Sequence, residues 1–297
     1  MSQQLTPQQC IDLIRAGRFP VQKKLGQNFL IDENILDSIV TVAGISPDDC
    51  VLEIGPGMGA LTGRLLDVAA KVIAVEVDKM LIPILEGTLG SDSFAAADSD
   101  IGKFVLINDD ILKIDIAELI ARENAGRPVK VVANLPYYIT TPIVMKLLEM
   151  EGLFESITVM VQKEVAARMS EGPGSKDYGA LSLSVQYYSS AHIVLDVSKN
   201  CFYPRPDVDS AVVRLDVYKP EERPVKCEDP DLMFRIIKAA FGQRRKTLVN
   251  SISNASGLNL SKAQITEALS QIGKAPTIRG EVLTLEEFAT LSDIISD

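Results

Sequence analysis

From residue 50 onward, the chain alternates short apolar runs rich in β-branched residues with longer amphipathic stretches. Runs of this length that are apolar throughout are typical of strands buried on both faces of a parallel sheet. Five such runs occur, and two further strand-like runs follow: CVLEI, KVIAVEV, KFVLIN, VKVVAN and SITVMVQ, then AHIVLDVS and DSAVVRLDVYK. The stretches between them carry apolar residues at helical spacing. The alternation predicts an α/β fold with a doubly wound sheet of seven strands.

The composition changes after Lys219. The segment PEERPVKCEDP is charged and rich in proline, as is typical of a linker, and the residues beyond it show helical periodicity. We therefore predict an α/β domain over residues 1–219 and a smaller, all-helical domain over residues 220–297. A chain of 297 residues, of which 46% are hydrophobic, is long enough to give both parts a core.

The sequence also excludes some kinds of protein. Residues 1–20 contain no sustained apolar stretch behind a basic start, and no run of about 18 apolar residues occurs. We expect a cytoplasmic protein that does not contact a membrane. The four cysteines lie far apart and His192 is the only histidine, so we expect neither disulfides nor a metal site.

A glycine-rich turn, Glu53-Ile54-Gly55-Pro56-Gly57-Met58-Gly59, follows the first predicted strand and opens a helix. The missing side chains at Gly55 and Gly57 let a ligand approach the backbone closely. Glu76 ends the next strand, 21 residues after Gly55, and can hold ribose hydroxyls. These features alone fit a dinucleotide site as well as an S-adenosylmethionine site. A merely tight turn between strand and helix is a third interpretation.

The end of the third strand adds another carboxylate. Asp110 follows KFVLI at the rim where ligands bind in open α/β sheets, and Asp109 is the alternative one residue earlier. A carboxylate at this point can accept a hydrogen bond from the N6 amine of a bound adenine ring. For either aspartate alone, a solvated carboxylate in a turn is an equally simple interpretation.

The tetrapeptide Asn134-Leu135-Pro136-Tyr137 follows the fourth strand and resembles the (N/D)PPY-type motif of enzymes that methylate the exocyclic amines of bases. The lone pair of adenine N6 is delocalised into the ring, so this nitrogen is a poor nucleophile. It becomes a better one when hydrogen-bond acceptors bind its two N–H groups and favour a pyramidal geometry. The carboxamide oxygen of Asn134 and the carbonyl of Leu135 can supply two such acceptors. Pro136 makes that carbonyl rigid, and Tyr137 offers a ring face to a base taken out of its stack.

Four segments together resemble the ribosomal RNA adenine dimethyltransferases, a family of class I methyltransferases that use S-adenosylmethionine. NLPY is similar to the family's (N/D)PPY-type motif, and CFYPRPDVDS is similar to its FxPxPxVxS signature. KKLGQNFL is similar to its KxxGQNFL element, and FGQRRKTL to its FxxRRKT-like element. The match runs in ordered blocks from about residue 20 to about residue 252. The resemblance implies a Rossmann-like methyltransferase sheet. It also implies that residues 1–219 form the catalytic domain and that the helical residues 220–297 bind RNA.

The resemblance also implies roles for single residues. Glu76 would hold the ribose of S-adenosylmethionine and Asp110 its adenine, while Phe202 would be the second ring against the target base. A core position beneath a proline-rich turn is the alternative for Phe202. The implied catalytic residues are Asn134, Leu135, Pro136, Tyr137 and Phe202. The implied cofactor-binding residues are Asn28, Leu30, Gly55, Gly57, Glu76, Asp110 and Asn134.

The members that this chain resembles in particular dimethylate N6 of two adjacent adenines in a hairpin loop near the 3′ end of small-subunit rRNA. The resemblance therefore implies the same reaction here, with a role in small-subunit maturation. The implied partner is small-subunit rRNA within a pre-30S particle, and the implied state is a monomer.

Contacts with RNA need positive charge, yet the net charge of the chain is −10. Two basic segments free of acidic residues, 15–24 and 235–246, resolve this conflict if they line one face beside the Asn134 pocket. The predicted RNA-binding residues are Lys23, Lys24, Arg205, Arg244, Arg245 and Lys246. For either segment alone, a solvated helix face is an equally good interpretation.

Two other classes of function fit parts of the sequence. An RNA-binding assembly factor with a vestigial fold would need only the basic helices, but Gly55, Glu76, Asp110, Asn134 and Tyr137 are all intact. A nicotinamide-dependent dehydrogenase would explain the glycine turn, but it has no use for NLPY. Within the enzymes, large-subunit rRNA methylases and DNA N6-adenine methylases share the same chemistry.

Overall fold

A computed structural model describes residues 6–17, 19–89 and 102–296. Arg18 of the first basic segment lies outside the described residues. The small, polar segment SDSFAAADSDIG, which the sequence predicts to be a surface loop, also lies outside them except for Gly102.

The described residues form nine strands in two sheets. In chain order the strands are β1 (Phe29–Leu30), β2 (Cys50–Ile54), β3 (Lys71–Glu76), β4 (Phe104–Asn108), β5 (Val129–Asn134), β6 (Phe154–Gln162), β7 (Ser189–Val197), β8 (Phe202–Tyr203) and β9 (Ser210–Val217). One sheet has the order β4-β3-β2-β5-β6-β9-β7, and β1 pairs with β8 in the other. From β4 to β6 neighbouring strands run parallel, whereas β9 is antiparallel to β6. The predicted seven-stranded, doubly wound sheet is confirmed.

The strand order reverses between β2 and β5. The chain first builds the sheet outward through β3 and β4, and then returns to the other side of β2 with β5 and β6. In sheets of this kind, the loops that follow the strands on either side of the reversal leave a crevice at the carboxyl edge. Ligand sites lie in such crevices.

Helices connect and follow these strands. They are α1 (Pro7–Arg15), α2 (Glu33–Ala43), α3 (Ala60–Val68), α4 (Ile82–Leu89), α5 (Ile116–Asn124), α6 (Thr140–Leu148), α7 (Lys163–Met169), α8 (Ala180–Tyr188), α9 (Pro230–Gly242), α10 (Leu248–Ser253), α11 (Lys262–Gln271) and α12 (Leu285–Ser296). Within the described part of the chain, no helix is long and apolar enough to cross a membrane.

The central strands lack the polar alternation of a half-exposed sheet because both of their faces are covered. Val51 and Leu52 are adjacent residues of β2, so they point to opposite faces, and both are fully buried. Val72 and Ile73 repeat this in β3. Burial of each such side chain contributes about 1.5–3 kcal/mol to folding, which is why continuous apolar runs predict these strands so well.

The chain divides into two compact units, one of residues 1–166 and 191–217, the other of residues 167–190 and 218–297. The main division lies next to the predicted boundary at residue 219, but residues 167–190 also belong to the second unit. Their helix α8 packs on α9, where the rings of Tyr188 and Phe234 stack with their centroids 5.3 Å apart. Because α8 lies between β6 and β7 in the sequence, both of which belong to the main sheet, the sequence does not reveal that it packs on α9.

Candidate active site

A cavity opens in the first unit at the carboxyl ends of β2, β3, β4 and β5. Its lining includes all the predicted cofactor-binding residues and four of the five predicted catalytic residues: Asn28, Leu30, Gly55, Gly57, Glu76, Asp110, Asn134, Leu135, Pro136 and Tyr137. Residues from distant parts of the sequence meet here because parallel strands present their carboxyl ends at one edge of the sheet.

The glycine-rich turn lies against the cavity. Gly55 has a φ of +69°, and an added Cβ there would meet nothing within 4 Å, so a ligand can approach the backbone from that side. Gly57 has a φ of +62°, and its Cβ would come within 3.2 Å of the Phe29 ring. Side chains at these two positions would strain the backbone or collide with β1.

Glu76 is almost fully buried at the end of β3. Its two carboxylate oxygens accept hydrogen bonds from the backbone N–H groups of Gly57, at 3.2 Å, and Asp78, at 2.8 Å. Burial raises the pKa of Glu76 to about 7, and these N–H donors offset part of that rise. The carboxylate is thus fixed in position, with an orientation set by the glycine-rich turn.

Asp78 joins the N-terminal segment to this site, a link that the sequence analysis missed. The side chain of Gln22 donates to one carboxylate oxygen at 2.8 Å, and that of Gln27 donates to the other at 2.6 Å. The backbone N–H of Gln22 also donates to the Gln27 side chain at 2.7 Å. We call residues 22–28 the N-terminal strap. The only sign of this link in the sequence is an aspartate two residues after Glu76.

Glu53 also lines the cavity, at the end of β2, and it was not among the predicted site residues. It is 1% exposed, and one of its oxygens has no hydrogen-bond partner among the described residues. Burial raises the pKa of Glu53 to about 8, and the nearby carboxylate of Glu76 adds to the rise. A buried acid with an unpartnered oxygen at a ligand cavity suits a polar or cationic ligand group.

Asp109 and Asp110 both lie on the cavity wall, so the alternative between them stays open. Asp110 is half-buried and accepts a hydrogen bond from the backbone N–H of Leu112 at 3.0 Å. Asp109 is exposed and accepts from the N–H of Asp110 at 2.7 Å. Both carboxylates therefore keep acceptor capacity for a ligand.

Asn134 ends β5, and its side-chain nitrogen donates to the backbone carbonyl of Asn28 at 3.3 Å. Since the nitrogen is engaged, the carboxamide oxygen is the group left to accept a hydrogen bond. Leu135 donates its N–H to Met160 in β6 at 3.2 Å. Among the hydrogen bonds of the described residues, none is donated to the Leu135 carbonyl. Two acceptors are therefore available at this strand end.

Tyr137 is half-buried, and its hydroxyl lies 2.8 Å from the hydroxyl of Ser210 in β9. Burial raises the pKa of Tyr137. Ser210 is the last residue of the CFYPRPDVDS segment, so this contact joins two of the motifs that the sequence places on either side of the target base. Tyr138, the next residue, also lines the cavity and is 54% exposed.

Phe202 is placed differently from the other predicted catalytic residues. It is 2% exposed, belongs to the apolar core and is not part of the cavity wall. It lies in β8 opposite Leu30 of β1, which does line the cavity. The structure therefore brings the segment of Phe202 to the site through its backbone pairing, and the stacking role of the ring stays a prediction.

The predicted RNA-binding residues fall in both units. Lys24 and Arg205 of the first unit are exposed, while the side chain of Lys23 lies outside the described part of the chain. Arg245 and Lys246 of the second unit are also exposed. Arg244 donates to the carbonyl of Tyr178 at 3.0 Å and lies 3.7 Å from the carboxylate of Glu281. Arg244 is thus partly engaged within its own unit.

No group of acidic, histidine or cysteine side chains suited to a metal ion occurs in the described residues. The polar groups at the cavity are hydrogen-bond acceptors that converge from different strands, which suits an organic ligand with amine and hydroxyl groups.

The family model for ribosomal RNA adenine dimethylases matches residues 18–296. The chain belongs to this family. The family predicted from the motifs is confirmed, and the protein is an rRNA adenine dimethyltransferase with a Rossmann-like sheet.

Named proteins agree with this assignment. The chain is 53% identical to the ribosomal RNA small subunit methyltransferase A of Lachnoclostridium phytofermentans, over 98% of this chain and 97% of that protein. It is 48% identical to the protein of the same name from Clostridioides difficile, over 96% of this chain and 94% of that one.

Solved structures support the fold. A dimethyladenosine transferase from Plasmodium falciparum is 25% identical, with a TM-score of 0.64 over 88% of this chain and 94% of that chain. The 23S rRNA methyltransferase ErmE is 24% identical, with a TM-score of 0.61 over 91% of this chain and all of that chain. The similarity to ErmE bears on the fold alone.

Proposed function

We propose that this rRNA adenine dimethylase uses S-adenosylmethionine to dimethylate N6 of two adjacent adenines in a hairpin loop near the 3′ end of small-subunit rRNA. The observation that carries the proposal is that the residues expected to bind adenine and those expected to bind the cofactor line one cavity. They are Asn134, Leu135 and Tyr137, and Gly55 and Glu76. The names of the bacterial relatives support the small subunit as the substrate.

The cavity residues fit the cofactor. Gly55 leaves open space where a side chain would stand, Glu76 and Asp110 offer acceptors for ribose hydroxyls and an adenine amine, and Glu53 offers a buried carboxylate to a positive charge. Asn28 and Leu30 complete the wall. When bound, S-adenosylmethionine supplies a methyl group on a positively charged sulfur atom.

The chain's own part in the reaction is to hold the adenine amine. The Asn134 oxygen and the Leu135 carbonyl accept the two N6 hydrogens, which favours the pyramidal geometry of an attacking nitrogen. The Tyr137 ring supports the extruded base. Most of the rate comes from positioning and from exclusion of water. No general base is needed, because N6 becomes strongly acidic once the new bond forms.

The second methylation requires that the amine be held by fewer hydrogen bonds. The monomethylated amine has one N–H left, so it can satisfy only one of the two acceptors. A time course of products analysed by mass spectrometry will show whether the RNA is released between the steps, since release gives an early pool of free monomethyl product.

We further propose that the protein acts in the cytoplasm as a monomer on a pre-30S particle and contributes to small-subunit maturation. The experiment is transfer of labelled methyl groups to purified unmethylated small subunits, large subunits, free rRNA and DNA. Labelling of small-subunit particles at two adjacent adenines is expected. Labelling of large subunits or DNA alone would overturn the proposal.

Replacement of Asn134 by Ala is expected to lower methyl transfer by at least about 100-fold, because an acceptor aimed at the transition state is lost. Affinity for S-adenosylmethionine, measured by calorimetry, should fall far less than turnover, because Asn134 is only one of several residues expected to bind the cofactor. Unchanged turnover of N134A would show that this side chain does not hold the amine.

A further inference from the structure

The hydroxyl groups of Tyr137 and Ser210 lie 2.8 Å apart, although the residues are 73 positions apart in the chain. Tyr137 lines the cavity and is half-buried, whereas Ser210 is fully buried. Tyr137 follows the strand that ends at Asn134, and Ser210 begins β9. The contact therefore connects a residue of the cavity wall to the interior of the sheet.

The sheet fixes Ser210 relative to Asn134. Ser210 lies opposite Gln162 in the antiparallel pair of β9 and β6, and Asn134 lies opposite Met160 in the parallel pair of β6 and β5. Both residues thus pair with positions two apart on one strand. Because paired strands keep a constant spacing, the hydroxyl of Ser210 is a fixed reference point for the pocket around Asn134.

A tyrosine ring that supports a base is useful only when its plane is held. Rotation about the bond between Cβ and the ring is broad and weakly restricted, so backbone position alone does not fix the plane. A hydrogen bond at the hydroxyl anchors the far end of the ring. Preorganisation of this kind lowers the entropy that must be lost when substrate is positioned.

We propose that Ser210 is a positioning residue that holds the Tyr137 ring in the orientation in which it contacts the target adenine. This inference rests on the proposed function, because it assumes that the ring meets an extruded base. It assigns a role to a serine that does not line the cavity.

The test is a double-mutant cycle of Ser210→Ala and Tyr137→Phe, with kcat measured for methyl transfer to unmethylated small subunits. Each single change removes the same hydrogen bond and should lower kcat by about tenfold. The double variant should be no slower than either single variant, since interacting partners are not additive. Ser210→Thr keeps a hydroxyl and should recover most of the activity.

Two controls separate positioning from simple loss of structure. Ser156 is a buried serine of β6 whose hydroxyl has no partner among the described residues, so Ser156→Ala should transfer methyl groups at the normal rate. The affinity of S210A for S-adenosylmethionine should match the wild type, and its thermal midpoint should match that of Tyr137→Phe, which loses the same hydrogen bond. A purely structural role would lower the cofactor affinity as well and would not be rescued by Thr.

The outcomes are distinguishable. If the wild type labels small subunits but S210A is as fast, or if the two single effects add in the double variant, Ser210 does not position Tyr137. If S210T and S210A both unfold, Tyr137→Phe alone decides: normal kcat overturns the inference, and a tenfold loss supports it. If the wild type labels no adenine in any RNA, the proposed function fails and the inference fails with it.

Discussion

Glu53 and Glu76 end two neighbouring strands and place two nearly fully buried carboxylates at one cavity. Burial raises both pKa values, to about 8 and about 7. Neither carboxylate is paired with a basic side chain in the described hydrogen bonds and ion pairs. Burial of these acidic groups therefore reduces stability at the cavity, and a bound cationic ligand would relieve that cost.

Glu53 makes stability depend on pH, and Glu76 contributes with the same sign up to about pH 7. The folded pKa of Glu53, about 8, lies above the ordinary value of 4.5, so between these limits the folded protein keeps a proton that the unfolded chain releases. Stability is therefore highest at the acidic end of this range and falls as pH rises towards 8. The slope from one such group is at most about 1.4 kcal/mol per pH unit.

The change Glu53→Gln should flatten this decline, because a neutral amide has no proton to lose. Urea unfolding of the ligand-free protein at pH 5, 6, 7 and 8 measures the effect. Glu86→Gln alters an exposed glutamate of α4 and should leave the slope as it is in the wild type. An equally steep decline in E53Q would assign the pH dependence to other groups.

At the scale of elements, the site depends on two pairings outside the main sheet. β1 pairs with β8 through Phe29 opposite Tyr203 and Leu30 opposite Phe202. The N-terminal strap then reaches Asp78 through Gln22 and Gln27. Short segments with few apolar residues are held by such contacts alone and have low local stability. The strap is thus the part of the cavity wall whose position depends most on polar contacts.

The change Asp78→Ala removes the acceptor for both glutamine side chains. We expect affinity for S-adenosylmethionine, measured by calorimetry, to fall by about tenfold, or about 1.4 kcal/mol. Trypsin should also cleave faster after Lys24, an exposed residue of the strap. Asp67→Ala, which alters an exposed aspartate of α3, is the matched control. Unchanged affinity and cleavage in D78A would show that other contacts hold the strap.

At the scale of the whole molecule, an acidic protein of net charge −10 must bind a polyanion. Local positive charge has to do this, and in the second unit Arg245 and Lys246 are exposed while Arg244 also contacts Tyr178 and Glu281. Phosphate contacts release counterions, so affinity for RNA should fall steeply with salt.

The double change of Arg245 and Lys246 to Ala should weaken RNA binding. It should also lower the slope of log affinity against log salt by about 0.7–0.9 for each phosphate that is no longer neutralised. Titrations of small-subunit RNA between low and moderate salt measure this slope. Lys262→Ala, at an exposed residue of α11, is the control for charge alone. A slope that does not change would place the RNA-binding surface elsewhere.

Sequence patterns within single segments predicted the strands of the main sheet and most of the residues that line the cavity. Runs of apolar residues predicted all seven strands of the main sheet. The central strands are the clearest, because a strand buried on both faces needs apolar residues at every position, whereas the edge strand β7 is only partly buried. Ten of the predicted site residues line the cavity. Those at strand ends and in the glycine-rich turn follow from local patterns, whereas Asn28 and Leu30 rested on the resemblance to the family.

The sequence by itself determined the seven strands of the main sheet, the family and the residues that we expect to bind adenine and cofactor. Only the tertiary structure decided that Phe202 is buried, that α8 joins the second unit, that the strap is tied to Asp78 and that Ser210 meets Tyr137. The physical reason is distance along the chain. Periodicity and motifs record what a residue does for its own segment, whereas a hydrogen bond across 73 residues leaves no trace in either segment alone.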